Sequence, residues 1–352
     1  MSIKSPSLAT IAIAGLFLLG AGATGRAQTT VTTDPVGFHT LTINPGYQTV
    51  GLPLVRTAVT VSSIASNTGS VITLSSSATN VGSLLQSGSA YYVEVVSGTD
   101  NSYVGDRFDV DFNSTVASAN NTVTINTSSA NNTIPGTLPN LAGWNVVLRP
   151  HMTIGYVFGS QGTSQLQGST VVSNADQVQI YNTTSGGFDT YFLLASGTIQ
   201  QWRKVGGGST VYDNQPIPPG TGLFLNRAGT STVSVTVVGG VRVSGYGAQP
   251  IGAGYNLISE EFPVDRSPAS RGFTVANGFT GSTVVSNADQ IQVWNGTGFD
   301  TYYLLVSGTI QQWRKVGGGT TDYMNTNIFG FDKSVFVKSN KANLSYASSK
   351  PF

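Results

Sequence analysis

Apolar and polar positions alternate with a period of two over short stretches along most of the chain. Residues 91–96 (YYVEVV), 121–125 (NTVTI) and 232–238 (TVSVTVV) carry this pattern, which places alternate side chains on opposite faces of an extended strand. Turn residues punctuate the stretches. Residues 82–88 form a loop between two of them, and Pro216, Pro218, Pro219 and Gly220 lead into the apolar triplet Leu223-Phe224-Leu225. Gly239-Gly240, between TVSVTVV and VRVS, predicts a two-residue hairpin. No segment shows the 3.6-residue period of a helix. Short strands joined by turns predict an all-β chain of tandem small β-sandwich or partly open β-barrel units, with little helix.

An internal duplication organises the second half. Residues 168–182 (GSTVVSNADQVQIYN) match residues 281–295 (GSTVVSNADQIQVWN) at 12 of 15 positions. Residues 188–210 match residues 299–321 at 20 of 23. Upstream, the Gly143-Trp144-Asn145-Val146-Val147 pentapeptide aligns with Gly254-Tyr255-Asn256-Leu257-Ile258. These matches predict two homologous units over 136–240 and 241–352. Residues 28–135 form a third, related unit, whose Gly46-Tyr47-Gln48-Thr49-Val50 echoes the same opening.

The first 27 residues read as a signal peptide. Lys4 supplies a positive start, residues 8–23 are apolar without a charge, and Gly25-Arg26-Ala27 puts small residues at the −3 and −1 positions of a cleavage site. Export fits a composition with only 9% charged residues and 43 glycines, far from that of a coiled coil or helical bundle. A net charge of +1 gives no electrostatic footprint for nucleic acid. Beyond the leader, no apolar run approaches the ~20 residues of a membrane helix. The absence of cysteine excludes disulfides, thiolate-bound zinc, iron–sulfur clusters and thiol catalysis.

Several stretches carry a resemblance: DPVGF at 34–38, GLPLVR at 51–56, AYYVEVVSG at 90–98, VGDRFDV at 104–110, RPHMTIGYVF at 149–158, the two QQWRKVGGG segments and PPGTGLFLNR at 218–227. Together they resemble a family of secreted proteins that occur as multiple paralogues in Verrucomicrobia-type bacteria. The resemblance implies export and this architecture. It supplies no activity, ligand or site residue to carry over.

Catalytic chemistry is thinly represented. Only two histidines occur, His39 and His151, too few for the usual histidine metal site, and His151 reads as a structural histidine. The Gly206–208 and Gly317–319 triplets follow strands without a helix to complete a phosphate cradle, so they read as turns. Glu94, Asp106, Asp109, Asp111, Glu260 and Glu261 could furnish a pair of glycosidase carboxylates, with Asp109 and Asp111 on one face of a strand. Asp100 with Asp106, Asp109 and Asp111 could ligate calcium, but lacks the D-x-D-x-D-G loop. Structural or solvated roles are the expectation for both groups. No cofactor is expected.

The sharper candidates are aromatic. Alternation over residues 199–205 puts Gln200, Trp202 and Lys204 on one face, and the second copy repeats them as Gln311, Trp313 and Lys315. Tyr181 and Trp294 close similar faces behind glutamine pairs. A ring flanked by amides suits a pyranose, stacking on its C–H face while the amides bond its hydroxyls. The opposing reading buries Trp202 and Trp313 against a neighbouring sheet. The function that follows is a secreted or cell-surface, non-catalytic β-repeat protein that binds polysaccharide or other cell-surface components weakly. A structural or assembly subunit that self-associates and an outer-membrane β-barrel are the alternatives.

Overall fold

The computed structural model describes residues 35–75, 80–118, 120–341 and 344–352. The segment 1–27, expected from the sequence to be a signal peptide, lies outside them. The fold is all-β: α-helices among the described residues are single short turns of four to six residues, such as Ile154–Phe158 and Pro268–Arg271.

Two five-stranded antiparallel sheets share one order. In the first, Ile199–Lys204, Gly187–Ser196, Gln177–Asn182, Leu223–Arg227 and Gly46–Val50 lie side by side. In the second the sequence is Ile310–Lys315, Phe299–Ser307, Gln290–Trp294, Ser334–Ser339 and Gly254–Ser259. A two-stranded ribbon accompanies each, Val36–Ile43 with Val233–Gly240 and Tyr246–Ile251 with Leu344–Ser349. The duplicated segments therefore pair strand for strand.

Strand pairing redraws the unit boundaries. Gly46–Val50, not residues 143–147, occupies the place of Gly254–Ser259, so the first repeat begins at its ribbon strand Val36–Ile43. The turns that lead into these two strands agree: Gln48 Oε1 accepts from the Asn44 amide at 2.9 Å, and Asn256 Oδ1 accepts from the Gly252 amide at 2.9 Å. Residues 56–150 are an insert within the first repeat. Where the second repeat crosses from Ser259 to Arg266 in a short loop, the first makes the same crossing through a separate six-stranded sheet. Its order is Arg107–Asp109, Tyr91–Ser97, Asn145–Pro150, Thr60–Thr68, Val71–Leu74, Thr122–Thr124. A bridge between Val110 and Ile125 draws its edge strands together at one end, giving a partly open barrel around Ile72, Val93, Phe108 and Leu148. The pentapeptide at 143–147 misleads because its pattern is local: Gly46, Gly143 and Gly254 all take φ near +85° (85°, 84° and 83°) to turn into a strand.

The hairpin expected at Gly239-Gly240 is also absent. The strand runs through both glycines as Val233–Gly240 and pairs with Val36–Ile43. The glycines allow close approach instead: Gly240 exchanges hydrogen bonds with Val55 at 2.7 and 2.9 Å, and a Cβ on Gly239 would lie 2.6 Å from the Val55 carbonyl oxygen.

The repeats meet with exchanged contacts, as two subunits do about a two-fold axis. Phe224 of the first packs on Trp294 and Phe299 of the second, at centroid distances of 5.7 and 6.2 Å. Its counterpart Phe336 packs on Tyr181 and Phe188 of the first, at 5.2 and 6.2 Å. Phe224 and Phe336 touch each other at 6.2 Å. The backbone repeats the exchange: the Gly51 amide donates to the Asp332 carbonyl and the Ser259 amide to the Gly220 carbonyl, both at 2.8 Å.

Candidate functional site

Trp202 and Trp313 are core residues, each fully buried. Trp202 Nε1 donates to the Gly159 carbonyl and Trp313 Nε1 to the Phe273 carbonyl, both at 2.8 Å. This corrects the exposed-platform expectation: the Gln–Trp–Lys face points inward, the ring fills the core, and only the long polar ends reach the rim. Lys204 pairs with Asp189 at 2.9 Å and Lys315 with Asp300 at 2.7 Å. Hydrogen bonds to Lys315 and Asn295 hold the Asp300 carboxyl below its usual range. Gln200 accepts from the Gly162 amide at 2.8 Å, while Gln311 is exposed. None of these six residues lines either of the two pockets described below.

The candidate acids are dispersed into structural work. Glu94 accepts from Arg242 at 2.7 and 2.9 Å and from Ser244 at 2.8 Å, and lies 3.5 Å from Arg149. Burial pushes its carboxyl up, but Arg242 and Arg149 outweigh this and hold it below the ordinary value. Glu261 pairs with Arg107 and Arg242, and Glu260 with Arg271. Because Glu94, Arg107 and Arg149 belong to the insert and Glu261 to the second repeat, this buried cluster ties the two together. The chain's three glutamates are thus all committed to arginines. Asp109 pairs with buried His151 at 2.8 Å. Asp111 is not its strand neighbour on one face but the N-cap of the helix Phe112–Ala117. Asp100 accepts from Ser102, and Asp106 is buried, its carboxyl raised to about 6 by desolvation. No group of three or more metal-ligating side chains occurs among the described residues.

Tyr181 and Trp294 differ from the other candidates. They sit on the opposite sheet faces, at the junction of the repeats, and both are half-buried. Trp294 lines a cleft of about 360 Å³ with Asn44, Tyr47, Gln48, Thr49 and Lys333. Its Nε1 donates to the Tyr47 carbonyl at 3.3 Å, linking residues 247 apart in sequence. Tyr47 is 51% exposed and lines the same cleft. Asn44 spends its carbonyl oxygen on Thr232 Oγ1 at 3.0 Å. Its amide nitrogen has no partner among the described residues. The Lys333 ammonium has no partner among the described residues beyond a loose contact with its neighbour Asp332, at 3.6 Å.

The cleft breaks the pseudo-symmetry. At the equivalent end, Tyr255 replaces Tyr47, Tyr181 replaces Trp294, Gly252 replaces Asn44 and Thr221 replaces Lys333. Tyr255 there packs on Phe336 at 5.9 Å. Both ends keep their rings, and only one adds the larger indole, an amide and an ammonium group. Comparison of the chain with protein-family models, curated proteins and solved structures finds no match.

Proposed function

We propose that this chain is an exported, non-catalytic glycan-binding protein whose site is the cleft between Tyr47 and Trp294. The observation that carries the reading is the convergence of two accessible rings with an unspent amide and an ammonium group at one end only of a pseudo-symmetric junction. Rings of this kind stack on the apolar face of a pyranose, and Asn44, Lys333 and the Tyr47 hydroxyl offer hydrogen bonds to its hydroxyls. The leader-like residues 1–27 support export. The commitment of Glu94, Glu260 and Glu261 to arginine pairs supports a non-catalytic role, since carboxylates so held are poor proton shuttles.

One sugar ring stacked on two aromatic groups gives weak binding, strengthened where many chains engage one polymer. Titration calorimetry of the leaderless protein against a panel of neutral oligosaccharides tests the reading. Trp294→Ala and Tyr47→Ala should each weaken binding about fivefold, the loss of roughly 1 kcal/mol of stacking, and the double variant should abolish it. Absence of saturable binding across the panel, or affinities unchanged in both variants, would overturn the reading.

A second reading, self-association, has one observation in its favour. On the ribbon of Val36–Ile43 and Val233–Gly240, Phe38 and Val36 are 77% and 71% exposed, and Phe38 stands opposite the half-exposed Val238. Such an apolar ladder on a two-stranded ribbon suits pairing with the same ribbon of a second copy.

A further inference from the structure

A second pocket, of about 270 Å³, sits in the neck where the chain leaves the first repeat for the insert and returns from it. Arg56 and Thr57 belong to the outgoing connection, Leu84, Gln86 and Tyr91 to the insert, and Tyr156 to the helix just after the return. We propose that this neck pocket binds the carboxylate of a hexuronic acid or a similar sugar-sized acid, with Arg56 as its anchor.

Buried Arg107, Arg149, Arg227, Arg242 and Arg271 each face a carboxylate, and Arg266 donates to Ser348 and the Ser270 carbonyl. Arg56 stands apart. Its half-buried guanidinium lies 4.5 Å from the centroid of the Tyr156 ring and has no hydrogen-bond acceptor and no carboxylate among the described residues. The contact with the ring positions the guanidinium and leaves its N–H groups for a ligand. The Arg56 carbonyl is held separately, by Arg149 Nη1 at 3.0 Å, so the backbone beneath the side chain is anchored.

The surroundings select the charge and size of the ligand. Arg56 is the one charged side chain lining the pocket among the described residues, so the local field favours an anion. Tyr91 Oη accepts from the Gln86 amide at 2.7 Å, and its own proton has no acceptor among the described residues. The paired N–H donors of a guanidinium match the two oxygens of a carboxylate bidentately. The volume is below that of a drug-sized site and suits one ring bearing a carboxylate. Leu84, 42% exposed, and the Tyr156 ring give that ring an apolar wall.

The sugar part of this assignment rests on the glycan reading above; the carboxylate part does not. The test is calorimetric titration of the leaderless protein with glucuronate and galacturonate, with glucose and inorganic sulfate as comparison probes. Arg56→Gln should weaken hexuronate binding about tenfold or more, as expected for losing a charge-assisted pair. Arg56→Lys, which keeps the charge without the fork, should recover only part of it. The titrations are made in the Trp294→Ala background, so sugar bound at the cleft does not contribute and failure of the cleft and failure of the neck pocket are distinguishable. Thermal melts establish that both Arg56 variants are folded. In the Trp294→Ala background, unaltered hexuronate affinity in folded Arg56→Gln, no hexuronate binding with Arg56 intact, or tighter binding of sulfate or glucose would each overturn the assignment.

Discussion

Replacing Trp202 or Trp313 by alanine tests the core assignment and the equivalence of the repeats together. Each indole is fully buried and donates to a backbone carbonyl, Gly159 or Phe273, at 2.8 Å. Truncating a core aromatic ring costs about 3–5 kcal/mol, and stranding the buried carbonyl adds about 1–3 kcal/mol where water cannot enter. Each variant should therefore lose about 4 kcal/mol or more. If the described chain melts as one unit, its length converts this to a fall of about 5–10 °C in Tm. Trp202→Phe and Trp313→Phe keep most of the apolar volume and should show a smaller loss. Equilibrium urea unfolding, followed by far-UV circular dichroism so that the probe is not the deleted tryptophan, gives the midpoints directly. Because the surroundings are duplicated, the two alanine variants should match within about 1 kcal/mol. Unchanged midpoints would mean the rings are not core, and a loss confined to one copy would refute the equivalence.

Two further outcomes follow from other parts of the molecule. Asp106 has its folded pKa raised to about 6 from 3.8 by desolvation, so ionising it in the fold costs about 3 kcal/mol relative to the unfolded chain. That cost is absent below the unfolded value, grows as pH rises from about 4 to 6, and is complete above 6; Asp106→Asn should thus stabilise the protein at pH 7, with the gain vanishing towards pH 4 in urea titrations, and a gain independent of pH would refute the cause. If the ribbon pairs with a second copy, sedimentation of residues 28–352 should show a mass that rises with concentration and a monomer for Phe38→Ser, whereas identical behaviour of the two would exclude this surface.

The repeats are legible in the sequence because they are nearly identical locally, and short alternating stretches suffice for the all-β class. What alternation leaves open is which face is inside. Along residues 199–205 both faces mix apolar and polar side chains, so packing of a whole sheet, rather than period, decides that Trp202 turns inward. Gly239-Gly240 reads as a turn because two glycines permit one; only the approach of Val55 explains why the strand continues. The insert escapes notice for a related reason. It has the same strand-and-turn composition as its host, and the pairing of Gly46–Val50 with Leu223–Arg227 spans a sequence separation that no local pattern records. The cleft shares this difficulty. Trp294 stands out as an aromatic residue at a strand end, but Tyr47 becomes its neighbour only when the two repeats close on one another.

Intrinsic tryptophan fluorescence tests the glycan site most directly. Of the four tryptophans, Trp144 is 5% exposed and Trp202 and Trp313 are fully buried, whereas Trp294 is half-buried and lines the cleft. Saturating neutral oligosaccharide should shift the emission to shorter wavelength and protect it from acrylamide, and Trp294→Phe should abolish both effects. Saturable binding that leaves the emission unchanged, or the same shift in Trp294→Phe, would contradict a site at the repeat junction.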